Sequence, residues 1–297
     1  MARHQHYVPR KYLRPWSNDE QIWCLRAGKV FQSNLMGVAQ ERDFYKLERL
    51  TDEDFALVHA IAITPLKNIH LRQECEALLQ TYAVMFKTEK VIADARFTAM
   101  FDDHLATVDD NIITELEAEF FHFLDLANQS NLRFLEDLKC ASRFYHGLML
   151  QYFRTNKIRS NMLRDMPPRH SVRVKKIWPL FRTLYSIITS FHIVCRDTPF
   201  NSAILHSHPD AEFITSDQPI INLSAVDLDY NATPETAEFY YPISPSKALL
   251  FSERRECKYF DQPILSAQDT SDLNQMIYRS SHSQTFARRS HLLRQFA

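Results

Sequence analysis

A chain of 297 residues with 45% hydrophobic residues, 24% charged residues and a formal net charge of −1 has the make-up of an ordinary globular protein, long enough to bury a substantial core. It contains only three glycines, Gly28, Gly37 and Gly147. Phosphate-cradling loops need several glycines so that backbone can approach the ligand, so the P-loop and the G-x-G-x-x-G dinucleotide fingerprint are both excluded. The five cysteines, Cys24, Cys75, Cys140, Cys195 and Cys257, are odd in number, widely spaced and free of any C-x-x-C, which argues against a disulfide framework or zinc ribbon and fits a reducing, cytoplasmic setting.

In chain order, residues 1–20 lack the apolar stretch of a signal peptide and are instead rich in His, Arg and aromatics. Residues 21–26 and 30–33 flank Ala27-Gly28-Lys29, which predicts a hairpin turning at Gly28, and a further short extended piece is expected at 43–47. From Thr51 to Cys195 apolar residues recur at helical spacing. Thr51 and Asp54 have the spacing of a capping box, and helices are expected near 52–63, 65–85, 88–101, 109–127, 132–156 and 175–195, with Pro167-Pro168 breaking the series. The longest apolar run, 184–195, is interrupted by Ser186, Thr189, Ser190 and His192 and is too short to span a bilayer, so no membrane partner is expected. Strands return between 197 and 265, around 213–215, 220–221 and 248–251, and a last helix is expected over 268–292.

These elements predict an α+β protein, predominantly helical, with a small sheet formed by N-terminal and C-terminal strand segments and a large helical insertion between them. We expect one domain over 1–297, made of an N-terminal motif and hairpin (1–50), a helical block (51–196), a strand segment (197–265) and a C-terminal helix (266–297).

Charge is unevenly distributed. Acids dominate 102–137, opposed only by Arg133, whereas Lys139, Arg143, Arg154, Lys157, Arg159, Arg164, Arg169, Arg173, Lys175, Lys176 and Arg182 are opposed by Asp165 alone. Arg3, Arg10, Lys11 and Arg14 near one end, and Arg279, Arg288, Arg289 and Arg294 near the other, have no obvious acidic neighbour in sequence. Either these cations converge into a surface that attracts phosphate, or they are solvated helix faces partly paired with the acidic block.

Candidate site residues are scattered. His4 and His6 alternate on an extended segment and so face one side, with Arg10 and Arg14 following; a histidine beside guanidinium groups suits acid/base work on a phosphate, while Tyr7, Tyr12, Leu13 and Trp16 equally suit a core plug. Asp217, in Ile214-Thr215-Ser216-Asp217-Gln218-Pro219, either fixes an imidazole tautomer or caps a turn. Gln151 and Arg154 lie three apart on an otherwise apolar helical face, and Asn274 is a mid-helix amide; such groups need partners when buried. His206-Ser207-His208 repeats the spacing of His4-Gln5-His6, a weak signal for a metal site, and no G-x-S-x-G nucleophile elbow is present.

His6-Tyr7-Val8-Pro9-Arg10, Phe44-Tyr45, Gln151-Tyr152-Phe153-Arg154-Thr155, the Thr215 to Pro219 element, Tyr241-Pro242-Ile243-Ser244-Pro245 and Leu273-Asn274 together resemble the DUF4238 family, a bacterial family of unknown function, from His4 to about Tyr278. The resemblance implies that these elements assemble, but names no reaction. The first functional expectation is a metal-independent, cofactor-free enzyme on a phosphate-containing substrate, most plausibly a nuclease in a defence or toxin context. In it His6 is the acid/base, Asp217 orients it, and Arg10 and Arg154 hold phosphate, with His4, Arg14, Gln151 and Asn274 completing the binding set. The alternatives are a non-catalytic nucleic-acid-binding or regulatory module whose polar cluster is structural, and a metal-dependent hydrolase using the two H-x-H pairs. A solvent-open cleft at His6 and Asp217 favours chemistry, and full burial favours structure.

Overall fold

The computed structural model describes residues 4–92, 94–164, 166–229 and 232–297, the Arg169 side chain excepted. Arg3 and Asp165, and that side chain, lie outside the described set. Chain order is β1 (His4–His6), α1 (Arg10–Leu13), β2 (Gln21–Arg26), β3 (Lys29–Asn34), β4 (Gln40–Arg42), α2 (Asp52–Val58), α3 (Ile69–Val91), α4 (Ala95–Asn128), α5 (Leu138–Phe153), α6 (Asn156–Leu163) and α7 (Pro168–Val194). There follow β5 (Asn201–His206), β6 (Thr215–Ser216), β7 (Ile221–Asn222), β8 (Glu238–Ser244), β9 (Lys247–Ser252), α8 (Lys258–Asp261), α9 (Ala267–Ser280), β10 (Thr285–Ala287) and α10 (His291–Arg294). No helix among the described residues is long and apolar enough to cross a membrane.

The hairpin forms where expected. Arg26 pairs with Lys29, and Ala27 and Gly28 take φ of 49° and 71°, the two positive values that a two-residue turn matching strand twist requires. β2 then pairs with β10, and β10 with β6, giving a four-stranded sheet in the order β3-β2-β10-β6. The N-terminal and C-terminal strand segments therefore do meet across the helical block. They are not confined to one sheet: β5-β9-β8-β7 forms a second, from the C-terminal segment alone, and β1 pairs with β4 in a two-stranded ribbon.

In the helical block several element boundaries differ from those the sequence predicts. The capping box at Thr51 and Asp54 is complete, and Asp54 also binds Arg173 and Lys176 of α7. The helix expected at 88–101 is split, its start closing α3 at Val91, and its remainder joins the one expected at 109–127 in a 34-residue helix, α4, capped by Asp94, because nothing in 102–108 breaks it. Conversely, 132–156 divides: Asp137 caps α5, and a new helix begins at Asn156. Pro168 does not simply end the series but occupies the first turn of α7, where its missing N–H costs nothing. The strand expected over 43–47 lies at 40–42 instead and stops where Asp43 adopts φ 53°.

The largest correction concerns 268–292. α9 ends at Ser280, and Thr285, Phe286 and Ala287 become a fully buried strand. Insertion between β2 and β6 supplies backbone partners that outweigh helix continuation.

Candidate functional site

Asp217 follows β6 and is completely buried. Its Oδ1 accepts the His282 N–H at 2.8 Å, and its Oδ2 accepts the Ser283 N–H at 2.8 Å, the Ser283 hydroxyl at 2.9 Å and the Gln284 N–H at 3.0 Å. The Asp217 N–H in turn donates to the Gln284 carbonyl at 2.9 Å. The carboxylate thus grips the loop between α9 and β10. Burial raises its pKa above the ordinary value, and the donors of His282 and Ser283 oppose that rise.

From this loop a chain of buried polar contacts runs through the molecule. Gln284 Nε2 donates to the Tyr7 hydroxyl at 3.5 Å, and its Oε1 accepts the Ala39 N–H at 3.2 Å. Gln151 Nε2 donates to the Tyr7 carbonyl at 3.3 Å and its Oε1 accepts from Arg154 at 2.6 Å, while Arg154 also pairs with Glu117 of α4. Gln218 accepts the Thr155 hydroxyl and donates to the Ile220 carbonyl at 2.7 Å, which fastens the turn after β6 to the junction of α5 and α6. Asn274 bridges the Ile214 N–H and the Glu212 carbonyl, each at 2.9 Å. At the other end of the N-terminal motif, the Tyr12 hydroxyl donates to the Pro242 carbonyl at 2.7 Å and the Trp16 indole to that of Phe213 at 2.8 Å.

The residues singled out from the sequence therefore come together only in part. His6 lies within electrostatic reach of Arg10 and Arg154, and Gln151 bonds both Arg154 and the Tyr7 carbonyl, but Asp217 holds the 282–284 loop rather than the His6 ring. His6 is half-buried with neither ring nitrogen in a good hydrogen bond; burial first, and then Arg10, lower its pKa, although the Val38 backbone favours the protonated form. Arg154, expected on phosphate, is 1% exposed and committed to Glu117 and Gln151. Arg10 and Arg14 both bind Glu20, at 2.9 and 3.0 Å, and exposed His4 contacts Gln40. Asn274 is a strut between backbone groups. By the criterion of exposure, Gln151, Arg154, Asp217 and Asn274 belong to the interior.

Most of the cations that lack acidic neighbours in sequence find them in space. Arg143, Arg154 and Arg182 pair with Glu119, Glu117 and Asp109 of α4, Arg288 and Arg289 lie beside Glu212, and Arg279 pairs with Asp227. Helices α4, α5 and α7 pack so that the acidic and basic blocks neutralise one another.

α6 carries a basic face that borders open clefts. Lys157, Asn161 and Arg164, at positions i, i+4 and i+7, share one side of the helix and line two adjoining clefts. One, of about 220 Å³, is bounded by Gln218, Asn222 and Arg279; the other, of about 580 Å³, opens toward the start of α7 with Arg159, Lys175 and His282. No Asp or Glu is among the described residues lining either cleft. Lys157 Nζ donates to the Ser281 carbonyl at 3.4 Å; burial first, and Arg164 second, lower its pKa while Asp217 opposes them. Arg164 donates to Asn161 Oδ1 at 2.9 Å, and Arg159 is held by Glu41 at 3.0 Å.

The Asp217 grip thus sets the Ser281 carbonyl and His282 at the edge of this face. In the sequence Lys157, Arg159, Arg164 and Lys175 stand out only as bulk charge, and Asn161 and His282 do not stand out at all. The i, i+4, i+7 spacing was available as a signal; nothing local marked His282. Among the described residues no group of three or more His, Cys, Asp or Glu is arranged to hold a metal ion; His4 and His6 lie on β1, whereas His206 ends β5 of another sheet and His208 follows it.

A family model described as a protein of unknown function, DUF4238, matches residues 4–291. Comparison with curated proteins and with solved structures finds no match.

Proposed function

The chain belongs to the DUF4238 family, and on that premise we propose that it binds a phosphate-bearing polyanion, of the kind a nucleic-acid backbone presents, along the basic face of α6. The observation that carries this reading is the pair of adjoining clefts sharing Lys157, Asn161 and Arg164, rimmed by further cations and lined by no described carboxylate. Lys157, Arg164 and Lys175 on the cleft walls attract anions there, and Asn161 adds an amide suited to a phosphate or sugar oxygen. The motif residues serve as the frame: Asp217 fixes the loop, and Gln218 with Thr155 fixes the helix.

The test is fluorescence anisotropy of a labelled 20-nucleotide single strand, RNA and DNA in turn, at about 50 and about 200 mM salt, where release of condensed counterions makes affinity fall steeply. Replacing Lys157 and Lys175 together by Ala should reduce the salt slope by about two, whereas Lys87→Ala, on the exposed side of α3, should leave it unchanged. Absence of binding to either strand at the lower salt ends the proposal.

A second reading, metal-independent cleavage of the bound phosphodiester, is favoured by one observation: a half-buried lysine with a lowered pKa stands beside His282 in the same cleft, the setting in which proton-handling groups are found. Loss of cleavage in Lys157→Ala at saturating strand concentration would support it, and an intact substrate after prolonged incubation with the unaltered protein would remove it.

A further inference from the structure

The two clefts beside α6 share Lys157, Asn161 and Arg164 but differ in the walls they do not share. The larger adds the nitrogen-bearing side chains of Arg159, Lys175 and His282. The smaller adds Tyr152, Ile158, Ala225, Val226 and Leu228, none of them fully buried. A phosphate gains nothing from that second wall, since an anion set against apolar groups loses water without gaining a partner. A polyanion that uses both clefts therefore carries an apolar part beside its charges.

Size, shape and polarity of the wall describe that part. Sites for drug-sized molecules run to about 300–1,000 Å³, so the 220 Å³ of this cleft suits a single ring system. Tyr152, on α5, is held between Phe153 and Phe239 at interplanar angles of 82° and 73°, which makes it a fixed aromatic ring of the kind that base stacking uses. Asn222, at the end of β7, supplies a directed polar group. Its Oδ1 accepts the Ser224 N–H at 3.2 Å and the Glu238 N–H at 2.9 Å, so the carbonyl end is taken and the NH2 end is left to a ligand. The edge of a nucleobase offers acceptors to such a donor, whereas an acyl chain would cover it unpaired.

We propose that the smaller cleft receives one unpaired nucleobase while Lys157 and Arg164 hold the neighbouring phosphate, so that the ligand of α6 is a single strand. A base inside a duplex reaches such a pocket only by leaving its stack and its partner, which costs free energy that a single strand does not spend. The inference rests on the polyanion reading above and adds the base to it.

The experiment uses the full chain and two labelled strands of equal length at about 50 mM salt: oligothymidylate, and a strand of abasic tetrahydrofuran units with the same phosphates. By anisotropy the unaltered protein should bind oligothymidylate about ten-fold more tightly than the abasic strand, the gain expected of one stacked base. Ala225→Trp fills the smaller cleft and leaves Lys157, Arg164 and Lys175 in place. It should abolish the preference while keeping the abasic affinity, with an unchanged fold by circular dichroism. The comparison of strands on the unaltered protein needs no substitution, so it decides even where the variant does not fold. Equal affinity for the two strands overturns the base subsite and leaves the polyanion reading standing, whereas no binding of either strand removes both. Equal affinity together with displacement of the strand by dihexanoyl phosphatidate would give the wall to an acyl chain instead, and a preference that survives in Ala225→Trp would place the base elsewhere; each overturns the inference.

Discussion

The buried network around Asp217 and the face of α6 are both built of amides and charged groups, yet in one the polar groups are sealed in the interior and in the other they border open clefts. Asp217, Gln151, Gln218 and Gln284 are buried and answered by backbone or neighbouring side chains. Lys157, Asn161 and Lys175 border solvent-filled space. A polar residue that stands out in the sequence against an apolar background is more often part of the frame, because burial without partners is costly and the fold must resolve it. The groups proposed to meet the anion stand instead on the short, hydrophilic α6 and its neighbours.

That contrast is sharpened most by Asp217→Ala. It strands four donors in the interior and should lower unfolding free energy by about 3 kcal/mol or more in urea denaturation, with anion affinity falling as the 281–284 loop detaches. A loss below about 0.5 kcal/mol would mean that the loop does not depend on the carboxylate, and the distinction between frame and face would break.

Asp54 provides the next effect. Burial tends to raise its carboxyl pKa, but Lys176, Thr51 and Arg173 outweigh burial and hold it well below the usual carboxylate range. A carboxylate whose folded-state pKa is depressed stabilises the fold above its unfolded-state value, and that stability is lost as pH falls through the folded-state value. Stability measured from pH 6 down to pH 2 should therefore fall on an acid limb that Asp54→Asn flattens, with about 1–2 kcal/mol already missing at pH 6 from the weakened cap and ion pairs.

Lys157→Ala with Lys175→Ala should act oppositely: roughly ten-fold weaker anion binding at low salt, and unfolding free energy within about 0.5 kcal/mol of the parent. The smallest effect belongs to Arg14→Ala. Glu20 keeps Arg10, the Arg14 side chain is solvent-exposed, and a change under about 0.5 kcal/mol is expected in the same denaturation assay.

What the sequence disclosed follows the range of the interactions involved. The Gly28 hairpin and the Thr51 and Asp54 capping box are local, each determined by residues within a few positions, and both form as expected. The union of N-terminal and C-terminal strands was legible as an economy of topology. β10 was not, because Thr285-Phe286-Ala287 is too short to signal a strand and becomes one only between β2 and β6. The same holds for the site. His6, Gln151, Arg154 and Asp217 were visible as misplaced polar groups, but whether Asp217 would face His6 or the 282–284 loop depends on a contact from the far end of the chain. The basic block was visible as charge, but which members α4 would neutralise depends on how α4, α5 and α7 pack.

β10 has a consequence for how the chain is made. A ribosome delivers β2 and β3 early, and Leu25, Cys24 and Trp23 then lack their neighbours until Thr285, Phe286 and Ala287 emerge. Until then the hairpin is a two-stranded unit with both edges unpaired, marginal alone and able to recruit another nascent chain through β2. Closure of the sheet is the slowest kind of contact to form, since it joins segments almost a whole chain apart. Overexpression should therefore be limited by what happens to that edge before the chain is released, and aggregates should carry an exposed hairpin with an unformed sheet rather than a misfolded helical block.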